Sequence, residues 1–96
     1  MKKYETIFIL DPDLEETQAQ ATIEKVKGII TQADGAELFK IEDWGKRKLA
    51  YPIRHLAEGY YVLVKFKSKP ALCKQLEANL EISEEVLRYL VVRSDS

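Results

Sequence analysis

Two segments of helical spacing, each flanked on both sides by a strand-like run, leave this chain few folds to adopt. The first repeats apolar residues at Ala19, Ile23, Val26, Ile30 and Ala33, and the second at Leu72, Leu76 and Leu80; that spacing puts them on one side of a helix. Ahead of the first lies Lys3–Leu10, rich in β-branched and aromatic residues and stopped by Asp11-Pro12, which predicts a strand. Asp13 and Glu16 have the spacing of a capping box, and Asp34-Gly35 offers a left-handed helix end. Ala36–Ile53 reads as one long strand whose alternation slips around Leu38, Phe39–Ile41 and Trp44-Gly45, the mark of a bulge. Arg54–Glu58 reads as a turn and Gly59–Lys67 as a strand. Ser68 and Pro70 open the second helix, and Val86–Arg93 forms the last strand.

The order strand, helix, strand, strand, helix, strand is satisfied by two helices on one face of a four-stranded antiparallel sheet. This is the α+β, ferredoxin-like βαββαβ sandwich, expected as a single domain over residues 1–96. Right-handed crossovers give the sheet order 4-1-3-2, so the second and fourth strands are edges. Pro52 fits an edge, since proline lacks the N–H that a central strand needs. In the third strand Tyr60, Val62, Val64 and Phe66 share the face expected under the helices. Tyr61, Leu63, Lys65 and Lys67 share the other, where Arg88, Leu90 and Val92 of the last strand can join them. An open sheet face with an apolar middle is a candidate contact surface.

Charge is segregated. The stretch WGKRKLAYPIRH, Trp44 to His55, holds Lys46, Arg47, Lys48 and Arg54 and no acid, so it is +4 in a chain of net −1. In an extended segment Arg47, Leu49, Tyr51 and Ile53 share one face and Lys46, Lys48, Ala50 and Pro52 the other. Two readings of this edge stay open. Lysines on an edge strand discourage edge-to-edge aggregation; unpaired backbone groups with positive charge also suit a partner strand and a nucleic-acid backbone. Leu49 and Tyr51 are likewise either core residues under the helices or partner contacts.

Enzyme chemistry lacks its parts. There is no glycine-rich loop followed by Lys and Ser/Thr, and no set of histidine, carboxylate and nucleophile. One cysteine, Cys73, and one histidine, His55, offer no nitrogen–sulfur metal site, and no cofactor motif is present. The loop after the first strand reads DPDLEE, whose acids would repel a phosphate. EGYYVLVKF superficially fits an RNA recognition motif, but Glu58 stands at its basic position and Val62 at its second stacking aromatic. The start lacks an apolar signal core and no run is long enough to span a bilayer, so a reduced, cytoplasmic protein is expected.

On KKYETIFILDPDL near the start, DWGKRKLAYPIRHLAEGYYVLVKF in the middle and VLRYLVVRSD at the end, the chain resembles the family of the sixth protein of the bacterial small ribosomal subunit. The resemblance spans essentially the whole chain, and the G-x-R-x-L-A-Y-P-I run carries most of its specificity. It implies a structural, ribosome-associated protein and no enzyme or small-molecule substrate. It further implies cooperative binding, with the eighteenth small-subunit protein, to the central domain of the small-subunit ribosomal RNA. On that basis Lys2, Lys3, Lys46, Lys48, Arg54, Arg88 and Arg93 are expected to meet RNA, and Arg47, Leu49 and Tyr51 the partner protein.

Overall fold

The structure, a computed structural model, describes residues 1–94. It contains β1 (Lys2–Leu10), α1 (Glu16–Thr31), β2 (Glu37–Ile53), β3 (Leu56–Ser68), α2 (Pro70–Ile82) and β4 (Val86–Arg93). The four strands form one antiparallel sheet in the order β2-β3-β1-β4, the expected order with β2 and β4 at the edges. Alternation along the central strands sends Thr6, Phe8 and Leu10 of β1, and Val62, Val64 and Phe66 of β3, toward the helices. There they meet Ile23, Val26 and Ile30 of α1 and Leu72, Leu76 and Leu80 of α2 in one core. Buried polar groups are paired: the Thr6 hydroxyl donates to the Leu90 carbonyl (3.1 Å) and the Thr22 hydroxyl to Glu85 Oε1 (3.0 Å). Such pairing avoids the desolvation penalty of an orphaned group.

The start of α1 differs from the expectation. Its cap is Glu15, not Asp13: the Glu15 carboxylate and the Gln18 side chain form the reciprocal box. Asp13 lies instead in an Asx turn ahead of the helix, where its N–H donates to Asp11 Oδ1 (2.9 Å). Gly35 does take the left-handed conformation (φ 76°), but in the turn that follows the helix end at Gln32.

The β2–β3 hairpin is longer than the sequence suggests. Its turn is Arg54-His55 alone, both left-handed (φ 51° and 67°), and Ile53 pairs with Leu56. Two-residue turns of this kind normally carry Asn or Gly, so the pair gave no sequence signal; each non-glycine residue there costs roughly 1–2 kcal/mol. Leu10 opposite Tyr60 is the last β1–β3 pair, so the hairpin runs on past the end of β1. It contributes to the elongated 39 × 26 × 21 Å shape. Between Lys48↔Glu58 and Ile53↔Leu56, the residues Leu49, Ala50, Tyr51 and Pro52 face Ala57 alone. Pro52 therefore lies in a bulged edge, where no ladder donor is needed.

Candidate nucleic-acid and partner interface

With helices on one face only, the other face of the sheet is open. Register places Ile7 beside Leu90 and Leu63, Ile9 beside Arg88 and Tyr61, and Glu5 beside Val92 and Lys65. Leu90 is 55% exposed and Val92 40%, so this face is apolar in its middle and unpartnered toward β4. Lysines and acids punctuate it. Lys65 pairs with Glu5 (3.7 Å), and Lys40 with Glu42 (3.1 Å); the hydrogen bond from Lys40 is the main reason the Glu42 carboxyl lies below its ordinary range. Both pairs lie outside the Trp44–His55 stretch, and among the described residues Lys46, Lys48 and Arg54 have no carboxylate within ion-pair distance.

Bulges re-aim the edge strand. The register shifts between Asp43 and Gly45, and the Trp44 ring stacks on Tyr61 with centroids 6.4 Å apart and planes 19° apart. Trp44 is thus a packing anchor on the open face, though still partly exposed. Arg47 Nε donates to the Trp44 carbonyl (3.1 Å), which orients the guanidinium and leaves its two terminal nitrogens for a ligand.

The signature residues Leu49 and Tyr51 part company. Leu49 is 7% exposed and Tyr51 76%. Leu49 lies outside the core beneath the helices: a methyl group built on Gly59 would collide with Ile9 Cγ2 and come within 3.2 Å of Leu49 Cδ2. Leu49 therefore caps the helix-free face, clamping the hairpin onto Ile9 through the space that Gly59 leaves empty. Neither sequence reading foresaw that position. Tyr51, in the bowed segment, projects into solvent.

The expected RNA-contacting residues fall into two groups. Lys46, Lys48 and Arg54 lie on the hairpin, all exposed. Arg54 Nη1 donates to the Glu84 carbonyl (3.4 Å), and Arg54 and Arg88 line one cleft of about 250 Å³ with Glu81 and Tyr89. The hairpin tip is thereby brought to the far edge strand, a contact that no local pattern could reveal. Lys2, Lys3 and Arg93 are at the other end, where Lys3 opposes Lys67 and Tyr4 opposes Arg93. The six residue steps from Lys3 to Ile9 separate the groups by about 20 Å. Lys3 Nζ sits 5.9 Å from the ring centroid of Phe39, an exposed aromatic on β2. Lys65 and Lys67 extend this second basic end, and their alternation in β3 was the available signal.

Nucleophilic chemistry has no support in these positions. Cys73 is buried and burial pushes its thiol up from the ordinary value, the opposite of an activated thiolate. Among the described residues no group of three or more His, Cys, Asp or Glu side chains could hold a metal ion, and no helix is long and apolar enough to cross a membrane.

Comparison with known proteins identifies the family. The family model described as ribosomal protein S6 matches residues 3–93. Small ribosomal subunit protein bS6 of Caldanaerobacter subterraneus subsp. tengcongensis is 46% identical over 95 residues, covering 99% of both chains. The protein of that name from Phocaeicola vulgatus is 45% identical, with 99% of this chain and 82% of the relative covered. The crystal structure of 30S ribosomal protein S6 from Thermotoga maritima superposes with a TM-score of 0.90 at 30% identity, covering 97% of this chain and 87% of that one. The matches in sequence and in fold both run over nearly the whole chain, and the chain belongs to the ribosomal protein S6 family of small-subunit structural proteins.

Proposed function

We propose that this protein binds the central domain of the small-subunit ribosomal RNA jointly with the eighteenth small-subunit protein during assembly of the subunit. The observation that carries the reading is the hairpin. It projects beyond the sheet with four cations and no acid in its Trp44–His55 arm, and among the described residues no carboxylate lies within ion-pair distance of Lys46, Lys48 or Arg54. Charges left unpaired in this way suit phosphates, which neutralise them by counterion release. The rest of the chain is net −5, so RNA affinity alone is modest and a second protein completes the surface. Tyr51 and Arg47, exposed on the same hairpin, are the side chains for that protein, being of the types that dominate interface energetics. Cooperativity then follows from linkage: each protein lowers the free energy of the other's binding.

The reading is tested by titrating a central-domain RNA fragment with both proteins across a salt series. Replacing Lys46, Lys48 or Arg54 by Ala should flatten the slope of log affinity against log salt by about one per charge removed. A salt slope unchanged in all three variants would overturn the assignment of the hairpin to RNA.

A further inference from the structure

The Asp43-Trp44-Gly45 bulge carries a latch whose purpose the fold alone does not require. We infer that Asp43 is a positioning residue for the interface: its carboxylate fixes the bulge that decides which face of the sheet Arg47 and Leu49 occupy. The inference rests on the proposed joint binding for its consequence, though not for its geometry. Asp43 Oδ1 accepts the Gly45 N–H (3.0 Å), and Gly45 is held left-handed at φ 68°. Oδ2 accepts the Tyr60 hydroxyl and, at 3.5 Å, Gln20 Nε2. One carboxylate thus ties the bulge to β3 and to α1.

Its effect on the hairpin follows from register. Residues four apart on a regular strand share a face, so Asp43 and Arg47 would point the same way. They do not: Asp43 pairs opposite Val62, whose side chain is in the core, whereas Arg47 pairs opposite Gly59 on the open face. The inserted residue, Trp44, accounts for the change, because a slip of one residue exchanges the faces of everything beyond it. Arg47 then returns its own hydrogen bond to the Trp44 carbonyl. Without the bulge, Leu49 would leave Ile9 and Arg47 would turn toward the helix side.

The sign of the mutational effect separates this from simple electrostatics. Asp43 is an acid beside a basic stretch, so a purely electrostatic role predicts that Asp43→Ala strengthens RNA binding. The latch predicts that Asp43→Ala weakens the joint complex about tenfold or more, the order expected for losing a charge-assisted hydrogen bond. Trp44 is the sole tryptophan, and its emission reports release from Tyr61 without any binding partner. Asp43→Asn, whose amide oxygen still accepts the Gly45 N–H while its NH2 group can donate to the Tyr60 hydroxyl oxygen, should restore most of the affinity and the native emission. Gly45→Ala meets no atom within 4 Å but is strained at φ 68°, and should reproduce the Asp43→Ala defect while keeping every carboxylate. Wild-type emission and affinity in folded Asp43→Ala and Gly45→Ala would overturn the inference, as would a gain in affinity. Failure of the wild type to bind jointly would instead refute the proposed function, and the emission would still decide the latch.

Discussion

Leu49 and Tyr51 lie two residues apart in the same signature, and the structure gives them opposite exposure. Truncation of each to Ala therefore separates the hairpin's clamp from its contact surface. Leu49 is 7% exposed, and buried Leu→Ala changes cost about 2–5 kcal/mol depending on how far the site collapses. Its neighbours Ile9 and Gly59 lie on a face no helix covers, where water reaches the vacated space, so the lower part of that range applies, about 2–3 kcal/mol. For a chain of 96 residues this corresponds to a fall in Tm of roughly 10–20 °C. Tyr51 is 76% exposed, and its truncation should leave stability within about 0.5 kcal/mol while weakening the complex with the partner protein by about tenfold, as for an aromatic anchor. The assay is thermal unfolding by circular dichroism beside a binding titration for each variant. A Leu49→Ala protein melting like the wild type would refute the clamp. A Tyr51→Ala protein that melts early, or binds the partner unchanged, would refute its assignment as a contact.

Gly59→Ala tests the same clamp from beneath: the added methyl collides with Ile9, so overpacking of about 1–3 kcal/mol should outweigh the gain of up to about 1 kcal/mol normally obtained by removing a strand glycine. A rise in Tm would contradict it. The Tyr60 hydroxyl is pushed up to about 12, first by burial and then by its bond to Asp43. A folded-state value above the unfolded one near 10 means that its contribution is complete below pH 10 and lost as pH climbs toward 12. The stability difference between wild type and Tyr60→Phe should therefore shrink across that window in denaturant titrations, and a constant difference would refute the coupling.

Periodicity made the architecture legible. The repeats in α1 and α2, the alternation of Tyr60–Lys67 and the position of Pro52 each admit one role in a four-stranded sheet, and together they yield the observed strand order. Features decided by competition between neighbours were not legible. Asp13 has cap spacing, but it lies in the Asx turn begun by Asp11, and Glu15 with Gln18 forms the box. The Arg54-His55 turn lacks the residues that usually announce left-handed geometry. Among the site residues, the hairpin cations lie exposed as their charge suggested, whereas alternation placed Tyr51 with Leu49 and left its exposure open. The face of Leu49 depends on a one-residue insertion at Trp44, which flips everything downstream. The meeting of Arg54 with Arg88 needs the hairpin to pass the end of β1 and reach the β4 corner, a tertiary arrangement with no local counterpart in the sequence.

Joint recognition of RNA is the central claim, and its most direct test is the affinity of this protein for a central-domain fragment of small-subunit ribosomal RNA, measured with and without a saturating amount of the eighteenth small-subunit protein. The account predicts weak, salt-sensitive binding alone and binding tighter by about tenfold or more with the partner, a coupling within the 1–3 kcal/mol typical of linked sites. Equal affinity in the two titrations would contradict it.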